Sequence, residues 1–249
     1  MEPNLIGKTV LITGAAKRVG CSIARELHAA GANIVVHYRL AAEAAETLVG
    51  ELNALRADSA ACFQTDLLDH TALPGLVDYA LHRFARLDAL VNNASSFFPT
   101  PLAAIDQAAW DDLIGSNLKA PLFLTQAAAP YLKAAHGAVV NITDIHAERP
   151  LAGFPLYCAA KAGLLGLTRA LAIELAPEVR VNAVAPGPIL WPEDASFDPS
   201  ARDHIIEHTL LKRSGSPQDI ARTVNFLLNA APYVTGQVIN VDGGRTAHL

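Results

Sequence analysis

Tyr157 and Lys161 stand four residues apart in a stretch that reads VVNITDIHAERPLAGFPLYCAAKAGLLGLTRALAIELA from Val139 to Ala176. On a helix that spacing puts both side chains on one face, one turn apart. A phenol titrates at about 10 when unperturbed, and a nearby cation lowers that value. The pair is therefore expected to give or take a proton near neutral pH. A tyrosine capping a helix beside a solvated lysine has the same spacing, so the residues around the pair must decide between the two.

The elements that position the pair are legible. Val139, Val140 and Ile142 form a short apolar strand, and a helix runs from near Tyr157 until Pro177 stops it. Upstream, the strand TVLIT (Thr9 to Thr13) leads into Gly14-Ala-Ala-Lys-Arg-Val-Gly20, a helix through Ala30 and a second strand at Asn33 to His37. Strand, glycine turn, helix and strand make the βαβ unit of a dinucleotide fold. Gly14 allows the sharp turn, Gly20 allows close approach, and the helix N-terminus offers N–H groups to a pyrophosphate. Arg18 occupies the place of a middle glycine. The second strand ends in His37-Tyr38-Arg39-Leu40, with no acid before Glu43. Arg39 there suits a ribose 2′-phosphate, and Lys17 and Arg18 add positive charge, so NADPH is favoured over NADH.

Further strands are expected at Ala60 to Gln64, Asp88 to Asn92, Arg180 to Val184 and Gln237 to Val241. Helices are expected at Ala41 to Ala57, Thr71 to Phe84, Ala109 to Tyr131 and from Ser216-Pro217-Gln218-Asp219, a strong helix start. Asp66, at a strand end, either accepts from an adenine amino group or caps the next helix. The Asn92-Asn93 pair suggests turn chemistry, and Phe97-Phe98 in a polar loop should line a cleft or an interface. Asn117 in mid-helix should distort the helix and free a carbonyl. Leu190 to Ser214, with a helical pattern around Ile205 to Leu211, is a candidate substrate lid. The alternation of strands and helices calls for an α/β fold: a doubly wound, Rossmann-type, seven-stranded parallel sheet with helices on both faces. It is expected to form one domain over 1–249, with a lid at about 190–214.

The 249 residues are 51% hydrophobic and 17% charged, with net charge −5, enough for a large core. The absence of a long basic run argues against nucleic acid as a partner. Cys21, Cys62 and Cys158 show no CxxC spacing, which argues for reduced thiols in the cytoplasm and against a disulfide frame or a metal site. No charged leader with an apolar stretch opens the chain, and no uninterrupted apolar run reaches about 20 residues, so neither a signal peptide nor a membrane span is expected.

Four features stand in order: Thr13-Gly14 with Gly20, Asn92-Asn93-Ala94-Ser95, Tyr157 with Lys161, and NAVAPGPI from Asn182 to Ile189. Together they resemble the short-chain dehydrogenase/reductase superfamily over essentially the whole chain. The resemblance implies a nicotinamide cofactor and a homotetramer. It implies Tyr157 as proton donor, Lys161 holding the nicotinamide ribose and lowering the tyrosine pKa, and Asn117 in a proton relay. It extends the cofactor-binding set from Gly14, Lys17, Arg18, Gly20, Arg39, Asp66, Tyr157 and Lys161 to Val19, His37, Tyr38, Leu67, Asn93, Ala94, Ser95, Pro186, Gly187 and Ile189.

The superfamily usually carries a serine thirteen residues before the tyrosine, and here that place holds Asp144. With TGAAKRVG, HYR and NNASSFFPTPL, the aspartate resembles the pteridine reductases. That resemblance implies Phe97 stacking on a pterin against the nicotinamide, Ser95 and Arg18 bonding the pterin or a cofactor phosphate, and Asp144 paired with Tyr157. The chemistry agrees. A serine hydroxyl steadies the developing oxyanion of a ketone, whereas a C=N bond needs a proton at nitrogen, which a carboxyl can pass. The expected activity is reduction of a pterin, dihydropterin or dihydrofolate by NADPH. A carbonyl or 3-oxoacyl thioester reductase and a non-catalytic NADP-binding scaffold are the alternatives. Whether His146 and Trp191 line the pocket stays open.

Overall fold

The structure is a computed structural model, and it describes residues 5–191 and 197–247. Residues 192–196 of the expected lid lie outside the described part. Seven strands are present among the described residues: β1 (Thr9–Ile12), β2 (Asn33–Tyr38), β3 (Ala60–Gln64), β4 (Ala89–Asn92), β5 (Ala138–Ile142), β6 (Arg180–Pro186) and β7 (Val238–Val241). They form one parallel sheet in the order β3-β2-β1-β4-β5-β6-β7. β1 and β5 are buried along their whole length, as strands covered on both faces must be.

The helices are α1 (Arg18–Ala29), α2 (Ala42–Leu55), α3 (Leu73–Phe84), α4 (Gln107–Ile114), α5 (Ala120–Ala134), α6 (Pro155–Glu174), α7 (Pro199–Glu207) and α8 (Pro217–Asn229). Side-chain alternation along β1 divides the core. Val10 and Ile12 pack with Ile23 and Leu27 of α1 and Val224 of α8. Leu11, one residue out of phase, packs with Leu76 of α3 and Leu124 of α5. Each such fully buried aliphatic side chain contributes about 1.5–3 kcal/mol. The strand order reverses between β1 and β4, which opens a crevice beyond their carboxyl ends.

Two elements differ from the sequence expectation. The helix expected over Ala109 to Tyr131 is split by a π-helical turn, Gly115–Lys119, that contains Asn117. The helix expected near Ile205 starts earlier, at Pro199, because Asp198 accepts from the Ala201 N–H and Pro199 fits the first helical position. Helix α6 is long and apolar enough, by length and composition, to cross a membrane. It packs instead against β6, α4 and the π-helical turn. The start of α8 is a full capping box between Ser216 and Asp219.

Candidate active site

A cavity of about 1150 Å³ lies beyond the carboxyl ends of the strands. Every site residue expected from the sequence lines it except Asn117. Its floor at the switch point is cross-linked. The Thr13 hydroxyl accepts from the Asn93 and Ala94 N–H groups at 2.9 and 3.0 Å. The Asn93 amide donates back to the Thr13 and Gly14 carbonyls at 2.8 and 3.2 Å. Asn93 is thus a brace between β1 and β4, a role that the turn chemistry of an Asn pair did not suggest.

Gly14 has φ +61°, a left-handed conformation that glycine adopts without strain. At Gly20 a Cβ would come within 2.4 Å of the Gly14 carbonyl oxygen and 2.9 Å of Ala15 Cα. Both are backbone atoms and cannot turn aside. Gly20→Ala is therefore expected to lose about 3 kcal/mol of stability, the upper end for overpacking. A thermal melt should show it as a fall of about 10 °C. An unchanged melting temperature would mean that the turn yields to a methyl group.

Arg18 has φ +53°, unusual for a residue with a Cβ. Its Nη2 reaches across the cavity and donates to the carbonyls of Trp191 and Leu190 at 3.0 and 3.4 Å. Lys17 and Arg39 are exposed at the same end, and Tyr38, Val19 and Leu67 form its wall. Asp66 Oδ1 accepts from the Leu68 N–H at 3.0 Å, a local turn, while its side chain also faces the cavity. Pro186, Gly187 and Ile189 close the side that follows β6. A glycine turn at a helix N-terminus, flanked by three cations, fits a phosphorylated dinucleotide.

His37 lines the cavity, and both of its ring nitrogens are engaged by the protein: Nδ1 accepts from the Gly14 N–H at 3.1 Å, and Nε2 meets the Thr65 carbonyl at 3.1 Å. Its ring is thus a brace for the glycine turn. Burial pushes its pKa down to about 4. A base with a folded value below its unfolded value of about 6.5 stabilises the fold above that pH and loses the contribution as pH falls toward 4. The loss between pH 7 and pH 5 is about 2 kcal/mol. Urea midpoints at the two pH values should show it, and His37→Gln should flatten the difference.

The expected chemistry residues meet at the far end. Asp144 precedes a short 3-10 turn, Ile145–Ala147, and its Oδ1 accepts from the His146 N–H at 2.8 Å. Its Oδ2 accepts from the Tyr157 hydroxyl at 2.7 Å. Lys161 is 2% exposed and donates to the Ile142 carbonyl at 3.0 Å, with its Nζ 5.7 Å from the Tyr157 ring centroid. Burial first, then the negative charge of Asp144, push the phenol well up, opposite in direction to the lowering expected from the sequence. Burial also pushes Lys161 itself down to about 8. The arrangement keeps the phenol protonated and directs its proton at a carboxylate.

Phe97 and Tyr157 meet nearly perpendicular, with ring centroids 4.7 Å apart, and Phe97 stacks on Phe154 at 4.6 Å with planes 13° apart. Phe154 backs one face of the ring and fixes its plane, a contact across the fold that no local pattern revealed. Phe98 packs into the same apolar cluster and does not line the cavity. Asn117 lies behind the wall, 1% exposed. Its Nδ2 donates to the Leu113 and Ser96 carbonyls at 3.0 and 2.9 Å, and its Oδ1 accepts from the Ser95 hydroxyl at 2.7 Å. His146 and Trp191 both line the cavity, as do His204 and Arg245, which sequence reading missed. No grouping of three or more His, Cys, Asp or Glu that could hold a metal ion occurs among the described residues.

A family model described as enoyl-(acyl carrier protein) reductase matches residues 14–246. The chain belongs to the short-chain dehydrogenase/reductase family. As a member of that family it is a nicotinamide-dependent oxidoreductase. It is 38% identical to pteridine reductase 1 of Leishmania tarentolae, with 98% of each chain covered. It is 36% identical to a 3-oxoacyl-[acyl-carrier-protein] reductase of Staphylococcus epidermidis, over 96% of this chain and 99% of the relative. Among solved structures, a blue fluorescent protein from a metagenomic library, in complex with NADPH, superposes with TM-score 0.91 at 34% identity, covering 97% of this chain and 99% of that one.

Proposed function

We propose that this short-chain reductase uses NADPH to reduce a pterin ring C=N bond, taking a dihydropterin to the tetrahydro form. The observation that carries the reading is the 2.7 Å hydrogen bond from the Tyr157 hydroxyl to Asp144. A carboxylate beside the proton donor suits a ring nitrogen, which must receive a proton. It would repel the oxyanion that develops on a ketone. When bound, NADPH supplies the hydride to the ring carbon. Tyr157 is the proton source, and Asp144 passes the proton to the adjacent nitrogen. Lys161 holds the cofactor ribose, and Arg39, Lys17 and Arg18 hold its phosphates. Phe97, with its plane set by Phe154, receives the flat heterocycle by stacking. The similarity to pteridine reductase 1 supports the same reading.

Reduction of a 3-oxoacyl thioester is the second reading, favoured by the 36% identity to an acyl carrier protein reductase. The purified protein should be assayed with dihydrobiopterin, dihydrofolate and an acetoacetyl thioester while NADPH absorbance is followed. Turnover of a pterin supports the first reading; turnover of the thioester alone discards it. A single domain, a homotetramer and a cytoplasmic location complete the proposal. The three free cysteines fit a reducing compartment, and sedimentation equilibrium tests the assembly.

A further inference from the structure

We infer that His146 reads a hydroxyl on the substrate's side chain, accepting its hydrogen bond at Nε2, so that the enzyme prefers dihydropterins whose side chain carries a hydroxyl next to the ring. The inference deepens the pterin reading and rests on it. The carboxylate that serves the ring nitrogen also fixes where His146 stands. Asp144 Oδ2 accepts from the Tyr157 hydroxyl at 2.7 Å, and Oδ1 accepts from the His146 N–H at 2.8 Å. In a dihydropterin the carbon of the reducible C=N bond carries the side chain. With Asp144 at the nitrogen, the first atoms of that side chain lie one bond beyond it, against the turn that Asp144 opens.

A second contact sets the state of the imidazole. His146 Nδ1 lies 2.8 Å from the Arg149 carbonyl oxygen. A carbonyl only accepts, so Nδ1 carries the proton and Nε2 of the neutral ring is a bare acceptor. That carbonyl is held in turn. The Arg149 N–H donates to the Ile145 carbonyl at 3.0 Å, and its Nη2 donates to the Thr246 carbonyl at 3.2 Å. The ring is partly buried and lines the cavity. The other side chains of this wall offer a hydroxyl nothing. Ile142, Ile145 and Leu151 are apolar, and the Thr143 hydroxyl is committed to the Val184 carbonyl at 3.1 Å. The acceptor that this wall adds to Asp144 is therefore His146 Nε2.

The test compares dihydrobiopterin, which has the hydroxyl, with a methyl-dihydropterin, the same ring bearing only a methyl group. His146→Leu is expected to lower kcat/KM for dihydrobiopterin about tenfold, the worth of one hydrogen bond to substrate, and to leave the methyl compound within about twofold. His146→Gln, whose amide oxygen reaches the place of Nε2, should restore most of the loss. Equal losses on both pterins would make His146 a packing residue and overturn the inference, as would an unmoved ratio or no rescue by glutamine. Nitrogen NMR of the wild-type protein needs no variant. The neutral His146 ring should show its proton on Nδ1, and a proton on Nε2 would overturn the inference whatever the kinetics. Turnover of the acetoacetyl thioester with neither pterin ends the pterin reading and this inference with it. Turnover of both pterins with a ratio that His146→Leu does not move ends this inference alone.

Discussion

Tyr157→Phe is expected to lower kcat by about two powers of ten or more, the range for loss of a general acid, while NADPH affinity changes little. Tyr157 is 4% exposed, with the Phe97 ring packed nearly perpendicular to its own and Lys161 over its face, and those contacts survive the substitution. What is lost is the single hydroxyl that donates to Asp144 Oδ2. Asp144 keeps the His146 N–H on its other oxygen, so the carboxylate stays oriented. Steady-state rates and a fluorescence titration of NADPH separate the two quantities. A variant with near wild-type kcat would remove Tyr157 from the mechanism.

The second large effect is expected at Asp144. Asp144→Asn keeps the shape of the side chain and its acceptor for the His146 N–H, but it can no longer pass a proton. Turnover of a C=N substrate should fall about a hundredfold. The tyrosine should respond in the opposite sense. Asp144 holds the phenol up by its charge and by accepting its hydrogen bond, so removing the charge brings the Tyr157 pKa down. Asp144→Ser goes further, because it places a neutral hydroxyl where a ketone oxygen can use it. The ratio of kcat/KM for an acetoacetyl thioester to that for dihydrobiopterin should rise by about two powers of ten in Asp144→Ser relative to wild type. A ratio that does not move would separate Asp144 from substrate choice and return the 3-oxoacyl reading to first place.

Local chemistry was legible in the residues. The apolar runs marked β1, β4 and β5, because a strand buried on both faces has no polar side to show. Gly14 and Gly20 announced a tight turn, and a Cβ at Gly20 would indeed strike backbone. Ser216 to Asp219 announced a helix start, and the capping box is there. The four-residue spacing of Tyr157 and Lys161 put both on α6. In each case the determining contacts lie within a few positions of one another, so the order of residues is enough.

What the residues could not show was set by contacts between distant segments. A lysine one turn from a tyrosine argues for a lowered phenol. The folded chain instead buries that phenol and sets Asp144 against it, so the shift goes upward. His37 reads as a residue at a strand end, and only the fold engages its two nitrogens with Gly14 and Thr65, which follow the neighbouring strands. Asn117 reads as a helix defect, and only the approach of Ser95 from the other side of the site gives its oxygen a donor. Sequence alone determined the α/β architecture and which side chains with chemistry stand near one another along the chain. Tertiary structure decided their protonation and their partners, because burial and through-space charge depend on the groups packed against a residue and not on its neighbours along the chain.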